Sequence, residues 1–241
     1  MRFFTLQPLA ADTEVTLPDA VAHHLVRVLR SEAGTRFVLF NGAGGAWDAE
    51  LVAAGKKAAV ARLLAFRPDD RESPLHTHLG QVMSRGERMD FAIQKATELG
   101  VSEITPLSSE RCELKLRGEE RADKKLGHWR RVAISACEQC GRNLVPVIHE
   151  PQALADWAAA VPAELKLVLA PALSGALPRA TVASVALLVG PEGGLSEAEI
   201  AGVQAQGFRP WQLGPRVLRT ETAPVAALAV LQAALGDFSG K

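Results

Sequence analysis

From residue 76 onward, strand-like and helix-like segments alternate along the chain, and this alternation restricts the possible folds more than any other feature. Residues 76–83, 101–107, 165–169 and 185–189 are predicted strands. The last two are nearly continuous apolar runs, which is typical of strands that are buried on both faces of a parallel sheet. The pattern predicts an α/β domain with a mainly parallel sheet that helices cover.

The helices of this region are predicted from apolar residues that recur with helical spacing. Residues 87–99 form one helix, which Gly100 ends, and residues 122–140 form a longer one, which Gly141 ends. The last helix, about residues 223–235, is apolar nearly all round. A helix of that kind is buried on several sides, either by the core or by a second subunit.

Residues 1–67 have a different pattern, with short strands separated by turns. Strands are predicted at residues 2–6, 37–40, 47–52 and 58–66, with turn signals at Asn41-Gly42 and Gly44-Gly45. One helix lies between them, with Asp19 as its predicted cap. The polar segment 67–74 contains two prolines and is the best candidate for a linker. We therefore predict a small barrel over residues 1–70 and an α/β domain over residues 75–241.

Composition excludes some classes of protein and leaves others open. The chain has 241 residues, and its 27 Lys and Arg balance 27 Asp and Glu, so no overall positive charge indicates nucleic acid. We find neither a secretory signal nor an apolar run long enough to span a membrane. Three cysteines cannot all pair, which favours a reducing compartment. We expect a cytoplasmic protein.

The segment VALLVGPEGGLSEAEI joins a buried strand to a helix through a glycine-rich turn. Ser196 and Glu199 form a predicted capping box at the start of that helix. Ligands of open α/β sheets bind beyond the carboxyl ends of the strands, where glycines permit close approach of the backbone. The turn also fits a purely structural connection. The chain lacks the glycine patterns of nicotinamide-binding and P-loop domains, which argues against both.

A second loop, GPRVLRTETA, follows a predicted short strand at residues 211–213 and precedes the apolar last helix. Thr220 or Thr222 could cap that helix, and Glu221 suits its first turn. Helix capping does not explain Arg216 and Arg219, because cations are unfavourable at a helix amino terminus. The two arginines therefore favour a functional role for this loop.

A third segment, residues 83–112, concentrates cations near strand ends. Arg85, Arg88 and Lys95 lie around one strand-to-helix junction, and Arg111 follows the next strand. A solvated helix face accounts for Lys95. Arg85, beside Gly86, is better placed to contact a phosphate.

These blocks, together with HHLVRVLR and ACEQCGRNLVPVI, resemble the RsmE family of 16S ribosomal RNA uracil-N3 methyltransferases, in the SPOUT superfamily. They occur in the expected order over nearly the whole chain, and GPEGGLS combined with LGPRVLRTETA is highly specific. Arg85 stands where relatives often carry Lys, and the chain has no Tyr.

The resemblance implies a PUA-like RNA-binding barrel, a SPOUT domain with a trefoil knot and helices on both faces of its sheet, and a homodimer. It also implies that three loops bind S-adenosylmethionine. By motif, the cofactor-binding residues are Leu169, Ala170, Pro171, Gly190, Pro191, Glu192, Gly193, Gly194, Leu213, Gly214, Val217, Leu218, Arg219, Thr222 and Ala223.

The chemistry of this reaction suggests roles for two further side chains. The sulfonium methyl group is already a strong electrophile, so the transfer depends on alignment rather than on a metal. The uracil N3 proton must leave, and a base or a cation near the carbonyls would help it. We expect Arg219 to stabilise the developing charge and Glu221 to be the base. The target nucleotide must be unpaired or flipped out, because N3 lies on the pairing edge.

The expected partner is 16S ribosomal RNA or the assembled small subunit. Six arginines are candidates for RNA contacts, although each is also consistent with an ordinary surface position: Arg2, Arg27, Arg30, Arg85, Arg111 and Arg142. We expect no metal site. Cys137 and Cys140 have no second cysteine pair, and no carboxylate near His76 and His78 in the sequence completes a ligand set.

Two other functions remain open at this point. A non-enzymatic RNA-binding protein would need the barrel and a basic groove but not the two glycine-containing loops. A different SPOUT enzyme, acting on another base or RNA, would share both loops.

Overall fold

The computed structural model describes residues 1–55, 58–68, 71–112, 114, 118–170 and 173–238. The chain divides into two compact units. The first comprises Met1–Glu72 and Cys137–Val145, and the second comprises Ser73–Ala136 and Pro146–Lys241. The junction after Glu72 falls within the predicted linker. Residues Cys137–Val145 also belong to the first unit, whereas a division into 1–70 and 75–241 places them with the second.

The first unit contains a five-stranded sheet and a short helical segment. Its strands are β1 (Arg2–Phe4), β2 (Glu14–Thr16), β3 (Arg36–Phe40), β4 (Ala46–Ala54) and β5 (Ala59–Arg67), in the order β1-β3-β4-β5-β2. Strands β1 and β3 are parallel, and the other pairs are antiparallel. The four predicted strands are present. Strand β2 was not predicted, because its three residues, Glu-Val-Thr, are too few to show a period.

The helical segment begins as α1 (Asp19–Ala22) and continues as one π-helical stretch, His23–Val28. The prediction that Asp19 caps this helix is wrong. The N–H of Ala22 donates to the carbonyl of Pro18, so the helix begins one residue earlier and Asp19 lies in its first turn. Leu25 is fully buried and packs into a core with Leu39 and Leu51.

The second unit is built on a parallel sheet, as the sequence predicted. Its strands are β6 (His76–Val82), β7 (Glu103–Ser108), β8 (Val147–Ile148), β9 (Gln152–Ala153), β10 (Leu165–Leu169), β11 (Ser184–Val189) and β12 (Arg209–Trp211). Their order is β12-β10-β11-β6-β7-β8, with β9 also paired to β7. Strands β8 and β9 were not predicted, because two residues each carry no detectable period.

Helices α2 (Glu87–Glu98), α4 (Leu154–Ala160), α5 (Glu197–Ala205) and α6 (Thr222–Leu235) flank this sheet, and the long helix α3 (Glu119–Cys140) contributes to both units. Helix α2 packs on α6, and α4 packs on α5. Fully buried Gln232 of α6 accepts from the Ser73 hydroxyl at 2.6 Å and donates to the carbonyl of Leu99 at 2.9 Å. The second bond ties α6 to the end of α2, and the first ties it to the segment before β6.

The capping box at α5 is confirmed, because Ser196 and Glu199 exchange both hydrogen bonds. The predicted cap of α6 is wrong: Glu221 occupies the N-cap position and makes no side-chain capping bond. The N–H groups of Thr222 and Ala223 donate instead to the carbonyl of Arg219. The side chain of Thr220 is therefore free to bond elsewhere.

Among the described residues, no helix is both long enough and apolar enough to cross a bilayer.

The contact between β6 and α4 leads to a prediction about packing. A Cβ on Gly80 would lie 2.5 Å from the ring of buried Trp157, whereas no described atom lies within 4 Å of the equivalent position on Gly202 in α5. We expect Gly80→Ala to lower the free energy of unfolding by about 1–3 kcal/mol through overpacking. Gly202→Ala is the control and should raise it by about 0.5–1 kcal/mol. Urea unfolding measures both, and equal values would contradict the described packing.

Burial also determines the chemistry of the CxxC pair. Burial raises the pKa of the Cys137 thiol to about 12, so it stays protonated at pH 8, whereas Cys140 is partly exposed. We expect iodoacetamide at pH 8 to label Cys140 of the native protein and to leave Cys137 unlabelled until the chain is unfolded. Peptide mass spectrometry measures this, and equal labelling of the two thiols in the native protein would contradict it.

Candidate functional site

Three adjacent strands end at one edge of the sheet of the second unit, and a cavity of about 590 Å³ lies there. The strands are β12, β10 and β11, which are parallel and in register, so their last residues Trp211, Leu169 and Val189 come together. All three residues line the cavity. The site therefore follows from strand order, since parallel neighbours present their carboxyl ends at the same edge.

Most of the residues predicted to bind the cofactor line this cavity. These are Leu169, Ala170, Gly190, Pro191, Glu192, Gly194, Leu213, Gly214, Val217, Leu218, Arg219 and Ala223. Gly193, Glu221 and Thr222 are not among the lining residues, and Pro171 lies outside the described residues. The three loops are distant in sequence, and the fold brings them together as the family resemblance implies.

Several lining residues were not selected from the sequence as cofactor-binding residues. They are Val189, Leu195, Ile200, Trp211, Gln212, Pro215 and Thr220. The ends of the buried strands were a usable signal for Val189 and Trp211, because the last residue of a strand borders any site at that edge. Arg216, already assigned to a functional loop, and Arg111 also line the cavity.

Thr220 holds two of the cavity loops together. Its hydroxyl donates to the carbonyl of Gly190 at 2.9 Å and accepts from the amide of Gln81 at 3.2 Å. Gln81 lies on β6, directly across from Val189 on β11, and both Thr220 and Gln81 are buried. The loop after β12 is therefore fixed to the loop after β11 by a hydroxyl that the sequence suggested as a helix cap.

The GPEGG turn is held from outside by two arginines. Arg88 of α2 pairs with Glu192 at 2.7 Å, and Arg111 donates to the carbonyl of Gly193 at 3.0 Å. Gly194 closes the turn with φ of +69°, a backbone conformation that favours glycine, and its N–H donates to the carbonyl of Pro191. These contacts fix the turn before any ligand binds.

The charges around the cavity are unevenly distributed. Arg111, Arg216 and Arg219 line it with a single described carboxylate, that of Glu192. The other surfaces of the cavity come mainly from apolar side chains and glycine-containing backbone. Such a site suits a ligand with a flat or apolar body and a few polar groups.

The carboxylate of Glu221 does not lie where a general base that acts in the cavity would have to lie. Glu221 is at the N-cap of α6, and its Oε2 is buried without a hydrogen-bond partner among the described residues. It does not line the cavity, whereas Arg219 does.

The arginines expected to contact RNA fall into two environments. Arg27 and Arg30 in the first unit, and Arg85 and Arg111 in the second, are exposed. Arg142 is only 5% exposed and pairs with Glu72 at 2.6 Å, and Arg2 donates to the Asn143 side chain and lies over the Phe40 ring. Burial gives Arg142 a structural role within the first unit.

The statement that no carboxylate accompanies the histidines of β6 is wrong. Glu103, the first residue of the neighbouring strand β7, lies 3.2 Å from the Nε2 of His76 and 3.7 Å from the Nδ1 of His78. His149 also bonds to Glu103. Burial lowers the pKa of His78 to about 4, so this imidazole is neutral at pH 7. This cluster could not be predicted from the sequence, because strand pairing rather than proximity along the chain brings Glu103 beside the histidines.

Comparison with known proteins agrees with this architecture. Residues 71–232 match the model of an RNA methyltransferase domain, and residues 17–64 match that of an RNA methyltransferase PUA domain. Ribosomal RNA small subunit methyltransferase E of Buchnera aphidicola from Schizaphis graminum is 38% identical, over 93% of this chain and 92% of that protein.

Two solved structures are similar over 98% of this chain and 98% of each of theirs. One is a Legionella pneumophila protein described as a methyltransferase and solved with the bound cofactor SAM, with 42% identity and a TM-score of 0.95. The other is ribosomal RNA small subunit methyltransferase E of Neisseria gonorrhoeae bound to S-adenosylmethionine, with 40% identity and a TM-score of 0.92.

The fold and these matches define the class as RNA methyltransferase with a PUA domain. Within that class, the chain belongs to the ribosomal RNA small subunit methyltransferase E family, which confirms the resemblance seen in its sequence.

The bonds of Thr220 yield a prediction for the stability of the site. Thr220→Val keeps the shape of the side chain but leaves the Gly190 carbonyl and the Gln81 amide without this partner. We expect a loss of about 1–3 kcal/mol in the free energy of unfolding. Thr181→Val, at an exposed position of the same unit, is the matched control and should stay within about 0.5 kcal/mol of the wild type. Urea unfolding of the two variants distinguishes them, and a neutral Thr220→Val would contradict a structural role for these bonds.

Proposed function

We propose that this protein transfers the methyl group of S-adenosylmethionine to N3 of a specific uridine in 16S ribosomal RNA of the small subunit. The observation that carries the proposal is the cavity at the ends of β10, β11 and β12, in a chain of this family. Two structures of 40% and 42% identity were solved with S-adenosylmethionine, and each aligns over 98% of this chain.

The cofactor is proposed to lie in the cavity and to contact the three loops that end these strands. Its binding residues are those named from the motifs: Leu169, Ala170, Pro171, Gly190, Pro191, Glu192, Gly193, Gly194, Leu213, Gly214, Val217, Leu218, Arg219, Thr222 and Ala223. What supports this set is that twelve of its members line the cavity. Backbone amides and carbonyls of the loops suit the edge of adenine, and the apolar side chains suit its faces.

Arg219 is proposed to stabilise the negative charge that develops on the uracil carbonyls as N3 loses its proton. The support is its place on the cavity wall, in a loop that Thr220 fixes to β11. A positively charged group held near the uracil ring lowers the free energy of the uracil anion. Removal of the N3 proton therefore does not need a strongly basic side chain close to N3.

Glu221 remains the proposed base, with its role weakened by its position outside the cavity lining. Its Oε2, which is buried without a hydrogen-bond partner among the described residues, is a carboxylate oxygen that could accept a proton. Glu221→Gln keeps the shape of the side chain and removes its negative charge, so loss of methyl transfer with unchanged binding of S-adenosylmethionine would support a role as the base.

RNA is proposed to contact exposed arginines of each unit. The proposed contacts are made by Arg27 and Arg30 in the first unit and by Arg85 and Arg111 in the second. Arg2 is a weaker candidate because its guanidinium already bonds within the first unit, and Arg142 is left out because it is buried. Zero net charge over the whole chain does not oppose this arrangement, since contacts with phosphates depend on local clusters.

Three finer features of the family complete the proposal: a cytoplasmic homodimer, a division into domains 1–70 and 75–241, and a trefoil knot in the second. The knot is supported by the close approach of two loop-forming segments, because the N–H of Gln212 donates to the carbonyl of Gly175 at 2.9 Å.

The dimer is supported by exposed Phe91 on α2 and Val230 on α6, two helices that pack together. Light scattering would refute the dimer if it gave the mass of one chain.

The direct test is transfer of labelled methyl from S-adenosylmethionine to small ribosomal subunits that lack the modification, followed by nucleoside analysis. We expect 3-methyluridine with the wild type. Arg219→Ala should lower the turnover rate by about 100-fold or more, the usual effect of removing a group that stabilises a developing anion. Arg131→Ala, an exposed position of α3 outside the cavity lining, is the control and should retain wild-type turnover.

The outcomes separate the proposal from its two rivals. Binding of S-adenosylmethionine without 3-methyluridine would move the activity to another base or RNA, as in a different SPOUT enzyme. Absence of any cofactor binding would favour an RNA-binding protein without catalysis and would overturn the proposal.

A further inference from the structure

Four side chains converge at the edge of the sheet opposite the cavity. His76 and His78 are the first and third residues of β6, Glu103 is the first residue of β7, and His149 directly follows β8. Pairing in register places His78 beside Glu103, and Glu103 beside Val147. Because the strands are parallel, their amino ends lie far from the carboxyl ends that form the cavity. Neither the family resemblance nor the proposed methyl transfer gives these residues a role.

The distances between the donor atoms suit a single small cation. One nitrogen of His78, one oxygen of Glu103 and one nitrogen of His149 all lie within 4.8 Å of one another. The Nδ1 of His78 is 3.7 Å from one Glu103 oxygen, and the Nε2 of His76 is 3.2 Å from the other. Tetrahedral ligands with bonds of about 2.1 Å are separated by roughly 3.4 Å, so only small rotations are needed.

The surroundings of His78 resemble the support that ligating histidines receive. Its Nε2 bonds to the hydroxyl of Thr105 at 2.7 Å, which leaves its Nδ1 directed at Glu103. The indole N–H of Trp157 also donates to this Nε2 at 3.3 Å, so in the ion-free cluster Nε2 accepts and Nδ1 carries the proton. A metal at Nδ1 would move that proton to Nε2, where the Thr105 hydroxyl can accept it. Trp157 packs edge-on against the ring, and His149 stacks on it with 5.2 Å between ring centroids.

The cluster is also accessible to an ion from solvent. The side chains of His76, His149 and Glu103 are 52%, 36% and 27% exposed, whereas His78 at the base is 9% exposed. The two imidazoles and one carboxylate whose ligand atoms lie close together form a donor set of two nitrogens and one oxygen. Imidazole-rich sets of this kind select zinc and its first-row neighbours rather than magnesium or calcium, which prefer oxygen.

We propose that His78, Glu103 and His149 bind a zinc-type divalent transition-metal ion. The ion would join the amino ends of β6 and β7 to the segment after β8. An ion that binds the folded chain and not the unfolded chain stabilises the fold.

The proposal is tested with the full chain after removal of metal by EDTA and dialysis. Isothermal titration calorimetry with zinc chloride should give one ion per chain, and the melting temperature should rise with zinc concentration. His149→Ala should weaken binding by at least about 100-fold, because loss of a ligand exceeds the 10–100-fold effect of an outer-shell change. His128→Ala is the matched control, since His128 is a partly exposed histidine that pairs with Asp90, outside the cluster.

Two further measurements identify the ligands. Glu103→Gln keeps the shape of the side chain but removes its charge, so a folded Glu103→Gln chain that no longer binds zinc would support the site even if His149→Ala failed to fold. The cobalt-substituted protein should lack the thiolate charge-transfer band that binding to Cys137 and Cys140 would produce. Equal zinc affinity of His149→Ala and wild type, or a thiolate band, would overturn the proposal. S-adenosylmethionine binding is measured separately, because the metal site does not depend on the proposed function.

Discussion

The parallel pairing of β12, β10, β11 and β6 is the constraint on which the rest of the second unit depends. Residues in these strands are matched one to one, from Leu165↔Val185 to Leu169↔Val189 in the central pair. That register brings the loops after three strands to the same edge, although they are far apart in sequence. The buried hydrogen bonds of Thr220 then hold two of the loops at a fixed separation. The cavity thus exists as a consequence of backbone pairing before any ligand is considered.

The charged and the apolar residues around the cavity have different roles in a site that could bind a methyl donor. A sulfonium methyl group needs no activation by a metal, so positioning is the main requirement. The GPEGG turn is held in place by Arg88 through Glu192 and by Arg111 through the Gly193 carbonyl. Arg216 and Arg219 add positive charge to the wall of the cavity. The same unit therefore combines loops that hydrogen bonds hold in place with a cavity wall that carries three arginines.

The opposite edge of the same sheet has a different chemistry. There, the amino ends of β6 and β7 and the end of β8 bring three histidines around one glutamate. One strand order produces both edges. It brings loops together at the carboxyl ends of β10, β11 and β12, and individual side chains together at the amino ends of β6 and β7. Helix α4 contributes to the second edge through Trp157, which contacts both His78 and the backbone of Gly80. A change in the packing of α4 would therefore affect this edge first.

The sequence by itself determined the local structure and the family. Apolar runs specified β10 and β11, Ser196 and Glu199 specified the start of α5, and two glycine-containing motifs identified the cofactor loops. The strands β2, β8 and β9 were not predicted, because two or three residues show no clear period. Tertiary structure alone decided which residues meet across the sheet: Thr220 with Gly190 and Gln81, Arg142 with Glu72, and Glu103 with the histidines. The physical reason is that such contacts depend on strand order and register, which the sequence of one strand does not encode.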